Sequence, residues 1–473
     1  MHPLISVTPE EVGISSRDIL ALLESYIGND PCEETHSFVL MRHGKLVSAG
    51  AYAPFSLKDR NTVFSVSKMY TSTAVGFCVA EGMFGLDDFV ADLLPEYATG
   101  NLSPRVRRIR VRHLLTMTSG QEGEVVHEGR KNKTSDEEAD WAAEFFRREC
   151  DIEPGTEFRY DGFCTYMLSV LVKKFSGVDV LEYLRPRLFE PLEMPVPPCI
   201  RDKNGLPIGW TGLRVTVGEL CRIGQLYLDK GVYQGKQILP QGWVEEASRC
   251  HIPTGKHPVG ADWSEGYCFQ FWRGRENAFR FCGALGQMCV VLPDKDMVFC
   301  VFSGYNNDRI HVELDKFYEI LYSKVSDAPL PQDDEGNEML RDFITRMAIP
   351  ETYATPSPAI PFLEGSTLPI AGASPFTRAT FSFVADAVTV TLDGEHPITY
   401  TAGFSQPMRT PVETRGTVIL RSDFDTEYSS AARFTAARRL LVTTHIIASP
   451  TDMILEADFE KGEATLRTVR GAF

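Results

Sequence analysis

The segment VFSVSK, residues 63–68, places a lysine three residues after a serine, and the prediction of the fold starts from it. Ser65 is the only serine of the chain with a lysine at that spacing. Residues three apart share one face of a helix, so the Lys68 amine can approach the Ser65 hydroxyl. A serine hydroxyl becomes a nucleophile when a base takes its proton, and a desolvated lysine of lowered pKa can be that base. Because one such pair is expected by chance, its meaning depends on the surrounding sequence.

Composition places the chain among acidic globular proteins. It has 473 residues, of which 43% are hydrophobic and 24% charged, and its net charge is −16. This length suggests two to three domains that need no disulfides for stability. The excess of Asp and Glu disfavours nucleic acid or an anionic membrane as the main partner, because both select for basic patches.

The N-terminal stretch and the cysteines predict a cytoplasmic protein without a membrane partner. MHPLISVTPEEVG has neither the basic nor the apolar region of a signal peptide, and no apolar run approaches the ~18 residues of a spanning helix. The eleven cysteines form no CxxC pair, which indicates reduced thiols rather than a disulfide framework. The oligomeric state stays open.

Hydrophobic periodicity predicts an α+β domain over residues 1–325. Its predicted elements are a helix over 17–27, two strands within 37–54, a helix from Ser65 to about Glu81, helices within 111–120, 164–177 and 217–231, strands within 280–304 and a helix over 311–325. This order predicts one antiparallel sheet flanked by helices, with an inserted helical lobe.

The character of the sequence changes at Ser326. Residues 326–359 are rich in proline and acidic side chains, and they predict a linker that contains one short helix. From 360 to 473 apolar and polar residues alternate over several segments, which predicts a separate C-terminal all-β domain.

Five blocks in order make the chain resemble the serine β-lactamase and penicillin-recognising hydrolase family, especially class C β-lactamases and their esterase relatives. The blocks are FSVSK (64–68), VRHLLTMTSG (111–120), PGTEFRYDG (154–162), the stretch 212–247 and FRFCGALGQMCVVLPDKDMV (279–298). The resemblance covers most of residues 10–325 and implies a β-lactamase/transpeptidase-like fold for them.

The resemblance also implies a role for each matched residue. Ser65 corresponds to the nucleophile that forms an acyl-enzyme, and Lys68 to its base or proton partner. Tyr160 corresponds to a second base that shuttles protons. The backbone N–H groups of Ser65 and Ala284 correspond to the oxyanion hole. No metal or organic cofactor is implied.

Two motifs depart from the pattern of the family at its substrate-binding positions. The tyrosine motif reads Tyr160-Asp161-Gly162, so Gly162 offers no side chain to a substrate amide. The third motif reads Phe281-Cys282-Gly283, which has no cation for a β-lactam carboxylate. These changes favour a small ester or amide substrate over a β-lactam or peptidoglycan.

Three other classes of protein are alternatives to a β-lactamase-like serine hydrolase. A relative that has lost catalysis and binds a ligand or peptide would keep the fold and alter these same motifs. An α/β-hydrolase is disfavoured because no GxSxG occurs, and a metal enzyme because there is no HExxH and the ten histidines lack ligand spacing. Within the hydrolase hypothesis, His113 is interpreted as a packed or capping residue, and Cys282 as an inert buried thiol.

Overall fold

The structure is a computed structural model, and it describes residues 6–27, 33–122, 140–256, 260–349, 357, 359–372, 374–384, 386–414 and 424–469. Thirteen α-helices are labelled in chain order within these ranges. They are α1 Ser16–Ser25, α2 Ser67–Ala80, α3 Val90–Leu93, α4 Pro104–Arg107, α5 Val111–Leu115, α6 Trp141–Arg147, α7 Gly162–Ser176, α8 Val180–Leu184, α9 Val217–Leu228, α10 Trp243–Ser248, α11 Ile310–Lys316, α12 Asp334–Arg346 and α13 Ile360–Leu363. No helix among the described residues is long and apolar enough to cross a bilayer.

The predicted hydrolase domain is built on one antiparallel sheet of six strands in the order β2-β1-β10-β9-β8-β7. The strands of this part of the chain are β1 Glu33–Arg42, β2 Lys45–Ala51, β3 Asn61–Thr62, β4 Arg214–Val215, β5 Val232–Tyr233, β6 Lys236–Gln237, β7 Trp272–Arg273, β8 Phe279–Gly283, β9 Gln287–Leu292 and β10 Met297–Tyr305. The small pairs β3–β4 and β5–β6 lie outside the sheet.

Helices cover both faces of this sheet. Gly224 of α9 lies against Cys289 and Val298 on one face. Phe299, the next residue along β10, points the other way and stacks on Phe317 just after α11, with ring centroids 4.5 Å apart. Burial on both faces explains why β9 and β10 read as nearly continuous apolar runs without alternation. The predicted sheet flanked by helices is confirmed in these elements.

A helical lobe stands beside the sheet, in the chain segment between β3 and β4. Helix α7 is its central element and packs on α2, α5, α6 and α8. Helix α7 is almost entirely buried along its first eleven residues, and it ends at Gly177 in the left-handed conformation, as predicted.

The segment predicted as a linker packs on the hydrolase domain. Helix α12 lies against α1, and Arg17 binds Asp333 at 2.6 Å. Leu340, Met347 and Ile349 are buried in the hydrolase core. Residues 350–356 and 358 lie outside the described ranges.

The C-terminal domain is a nine-stranded sheet that closes on itself, with its own apolar core. Its strands are β11 Thr367–Ala371, β12 Phe376–Val384, β13 Ala387–Gly394, β14 Ile398–Gly403, β15 Met408–Thr414, β16 Phe424–Ala436, β17 Arg439–Ile446, β18 Asp452–Asp458 and β19 Glu463–Val469. The closing contact pairs Gly403 of β14 with Ala431 of β16. The predicted all-β architecture of this region is confirmed.

A buried carboxyl group lies between β1, β10 and α11. Glu313 accepts a hydrogen bond from Thr35 Oγ1 at 3.0 Å and another from Ser303 Oγ. Complete burial disfavours the carboxylate and raises the pKa of Glu313 to about 8. The native protein therefore holds a proton there at neutral pH.

Replacing this carboxyl with an amide is expected to stabilise the protein increasingly as the pH rises. The stability that the protonated Glu313 contributes is fully present below pH 4.5 and is lost progressively as the pH rises to about 8. The reason is that the carboxyl group of the unfolded chain releases its proton at a lower pH than that of the folded protein. Urea unfolding should show that the free energy of unfolding of Glu313→Gln, relative to that of the wild type, increases by roughly 3 kcal/mol from pH 5 to pH 8. Glu319→Gln, a change at an exposed position, serves as the control. If Glu313→Gln and the wild type differ in free energy of unfolding by the same amount at both pH values, Glu313 is not a buried neutral acid.

Candidate active site

The nucleophile segment, residues 63–66, carries the candidate nucleophile Ser65 and joins the short strand β3 to helix α2. Phe64 adopts a left-handed backbone with φ 44°, which is rare for a bulky residue and turns the chain sharply before Ser65. Ser65 lies in a 3-10 turn over Phe64–Val66, and α2 begins at Ser67. The helix therefore starts two residues later than predicted, yet the turn runs directly into it and Ser65 stays half-exposed.

Lys68 binds Ser65, as the spacing of the two residues predicted. Its Nζ atom donates to Ser65 Oγ at 2.9 Å and to the carbonyl oxygen of Trp210 at 3.1 Å. Lys68 is only 2% exposed. A lysine accepts the proton of a serine hydroxyl in its neutral form.

Tyr160 packs beside the same lysine. The Lys68 Nζ atom lies 4.7 Å from the centre of the Tyr160 ring. Trp272 stacks on this ring at 5.9 Å, and Tyr267 meets it edge-on at 6.2 Å. These two aromatic residues are buried, and they pack against the Tyr160 ring.

Two segments meet where the oxyanion hole is expected. A side chain at Gly283 would collide with the carbonyl oxygen of Val63, so glycine lets the end of β8 lie directly against the nucleophile segment. Leu285 follows in a left-handed conformation with φ 60°, and its N–H donates to Asn307 Oδ1 at 2.9 Å. This close approach joins the end of β8, one residue before Ala284, to the residues just before Ser65.

The Asp161 carboxylate is bound by other groups of the protein. It caps α7 by accepting the Phe163 N–H at 2.9 Å, and it forms an ion pair with Arg148 at 2.8 Å. With 1% of its surface exposed, the carboxylate is neither a solvated turn residue nor open to a ligand. The hypothesis that Asp161 binds substrate through its side chain does not fit this burial.

Aromatic rings surround the position of Gly162. A methyl group on Gly162 would stand 3.2 Å from the Trp210 indole, so the indole occupies the space that a longer side chain would need. Trp210 is half-exposed, and its ring lies 5.3 Å from that of Trp141 and 6.5 Å from that of Phe163. The result is an apolar wall next to Lys68.

Phe281 and Cys282 lie in the interior rather than on the surface of the site. Phe281 is 1% exposed and packs against Tyr227 and Phe271 at 5.0 and 5.2 Å. Burial raises the pKa of the Cys282 thiol, which keeps it protonated and inert. The predicted contact of the Phe281 ring with substrate is therefore not seen, because β8 is covered on both faces.

His113 has the capping role expected of it. Its Nδ1 atom accepts the backbone N–H of Arg110 at 3.2 Å at the start of α5. Burial lowers the pKa of His113 to about 4, so the ring is neutral at physiological pH.

Several contacts around the site are made by residues that belong to none of the sequence motifs. They are the Trp210 carbonyl on Lys68, Arg148 on Asp161, and Asn307 at the turn after β8. Within the described ranges, the one group of side chains with the spacing for a metal ion lies elsewhere, at Glu34, His445 and Asp452.

Comparisons with known proteins identify the family and support the fold. The family model described as Beta-lactamase matches residues 34–316, more than half of the chain. The 6-aminohexanoate-dimer hydrolase of Paenarthrobacter ureafaciens is 26% identical over 293 residues, which are 57% of this chain and 73% of that protein. Lovastatin esterase of Penicillium rubens is 24% identical over 190 residues, 36% of this chain and 46% of the esterase.

A solved structure shares the fold. The putative 6-aminohexanoate-dimer hydrolase from Bacillus anthracis superposes with a TM-score of 0.55 and 19% identity, and the match covers 70% of this chain and 89% of that one. The β-lactamase-like fold predicted for the hydrolase domain is confirmed at this level.

The contact between β8 and the nucleophile segment should be essential for acylation. We expect Gly283→Ala to push Ala284 away from Ser65 and to lower kcat on a p-nitrophenyl ester by about 10²-fold or more, the scale of losing one oxyanion donor. Gly218→Ala is the matched control, because its new methyl group would meet nothing closer than 4.0 Å. Full activity in a folded Gly283→Ala protein would contradict the prediction that the Ala284 N–H forms part of the oxyanion hole.

Proposed function

Because the chain belongs to the beta-lactamase family, we propose that it is a serine hydrolase that forms an acyl-enzyme on Ser65 with a small ester or amide. The observation that carries the proposal is the hydrogen bond of 2.9 Å between the buried Lys68 amine and the Ser65 hydroxyl. A lysine placed in this way is the base that a serine nucleophile needs.

The proposed reaction has two halves. Ser65 Oγ bonds to the substrate carbonyl carbon while its proton passes to Lys68, and the N–H groups of Ser65 and Ala284 stabilise the oxyanion. Tyr160, next to Lys68, passes a proton to the leaving alcohol or amine as its bond to the carbonyl breaks. Water then attacks the acyl-enzyme carbonyl, the same groups take its proton and return one to Ser65 Oγ as the bond to the acyl group breaks, and the acid product leaves.

The surroundings of the pair favour a neutral or apolar acyl group. Arg280, the cation of β8, is 1% exposed, and it donates to the carbonyl oxygens of Asp262 and Arg273 at 3.0 and 2.7 Å. It is thus engaged inside the domain rather than placed to hold a substrate carboxylate. The wall of Trp210 and Trp141 instead offers apolar surface. Relatives that hydrolyse an amide dimer and an ester support the same broad class.

Removing the nucleophile or its base should abolish turnover. We expect kcat/KM on a short-chain p-nitrophenyl ester to fall by roughly 10⁴-fold or more in Ser65→Ala and by about 10² to 10⁴-fold in Lys68→Ala. Ser67→Ala, two residues along the motif, is the matched control, because the Ser67 hydroxyl only accepts the Leu213 N–H at 3.2 Å. If Ser65→Ala keeps full activity the assignment is wrong, and an inactive folded wild type would favour a ligand-binding relative instead.

Trimming the aromatic wall should change acyl-chain preference while leaving the chemistry intact. Trp210→Ala removes the indole but keeps the backbone carbonyl that binds Lys68. We expect the ratio of kcat/KM for an eight-carbon to a two-carbon p-nitrophenyl ester to change at least 10-fold, a typical effect of a few methylene contacts. Trp210→Phe, which keeps an apolar ring, should stay close to wild type. An unchanged ratio in Trp210→Ala would place the acyl pocket elsewhere.

A further inference from the structure

Three side chains with metal-ligand chemistry come together where the C-terminal domain meets the hydrolase domain. Glu34 lies on β1, and His445 and Asp452 pair directly across β17 and β18. The Nδ1 atom of His445 is 3.0 Å from Asp452 Oδ1 and 3.9 Å from Glu34 Oε2. One donor atom from each residue lies within 4.8 Å of the other two.

We propose that Glu34, His445 and Asp452 bind one divalent transition-metal cation of the zinc or manganese class. One imidazole and two carboxylates are a ligand set that these ions accept. Ligand atoms on a tetrahedral zinc ion, with bonds of about 2.1 Å, stand roughly 3.4 Å apart. The observed separations of 3.0 and 3.9 Å from the shared nitrogen bracket that value. Small side-chain rotations therefore suffice to close the site.

Burial and charge favour a cation at this point. The exposed fractions of Glu34, His445 and Asp452 are 13%, 2% and 5%. Two carboxyl groups and one imidazole brought together away from bulk water form a site that attracts a divalent cation.

A neighbouring histidine supports the site from outside. The Nε2 atom of His36 is 3.9 Å from Glu34 Oε2, and its ring stacks on Phe55 at 3.9 Å. This separation of Nε2 from Oε2 is longer than a hydrogen bond, and a movement of about 1 Å would let His36 donate to Glu34 as an outer-shell partner.

The cation would fasten the C-terminal domain to the strand that leads to the nucleophile. The turn between β17 and β18 enters the hydrolase domain, where Ile447 is buried in its core. The next residue, Ala448, accepts the N–H of Thr62 at 2.9 Å, three residues before Ser65. His445 and Asp452 close the base of this turn, so an ion shared with Glu34 would link the two domains and hold the turn in place.

Metal titration of the full-length protein tests this site. After chelator treatment and dialysis, the protein is titrated with Zn²⁺ and Mn²⁺ by calorimetry and with Co²⁺ by visible absorption. We expect one equivalent of Zn²⁺ or Mn²⁺, Co²⁺ d–d bands without thiolate charge transfer, and a Tm raised by several degrees at saturation. His445→Gln and Asp452→Asn should each weaken binding at least 100-fold and lose the Tm shift.

The matched control is His43→Gln. His43 and Asp296 form an exposed pair at 2.8 Å that lacks a third donor of the kind supplied by Glu34, so this change should leave binding intact. Failure of the folded wild type to bind either ion, thiolate charge transfer with Co²⁺, or equal binding by folded His445→Gln and Asp452→Asn would overturn the proposal. If both variants unfold, the wild-type stoichiometry and Co²⁺ spectrum decide.

Discussion

The structure of the site depends on one buried hydrogen bond, between Lys68 Nζ and Ser65 Oγ. A lysine side chain removed from water is costly unless its amine is satisfied. Here the Ser65 hydroxyl, the Trp210 carbonyl and the Tyr160 ring surround it. Each of these groups comes from a different segment, so placing Lys68 fixes the meeting point of α2, the Tyr160 segment and the chain before β4. The need of the Lys68 amine for these three partners thus determines which segments meet at the candidate active site.

Two further constraints keep the nucleophile at this point. Phe64 holds a left-handed turn just before Ser65, and Gly283 lets β8 approach the Val63 carbonyl. The C-terminal domain adds a third contact from outside, since Ala448 binds the N–H of Thr62. A domain that looks separate in sequence therefore supports the strand leading to the nucleophile, and Arg409 strengthens the contact by binding Asp59 at 2.8 Å.

The sequence predicted those parts of the structure that short-range patterns carry. The Ser65–Lys68 spacing, the β9–β10 hairpin and the helix capped at Gly177 follow from local periodicity and capping, and the structure contains each of them. The burial of Phe281 could not be predicted, because a strand buried on both sides lacks the alternation that shows which side chains point inward. Trp210, Arg148 and the cluster around His445 could not be predicted, since each acts through a contact between segments distant in the chain.

The central claim is that Ser65 carries the acyl group, and rapid acid quenching followed by peptide mass spectrometry tests it most directly. Wild-type protein is mixed with a p-nitrophenyl ester, quenched within the first turnover and digested. The account predicts a mass increase equal to the acyl group on the peptide that contains Ser65, and none on that peptide from Ser65→Ala. An acyl group on another residue, or ester turnover with no covalent intermediate on any peptide, would contradict it.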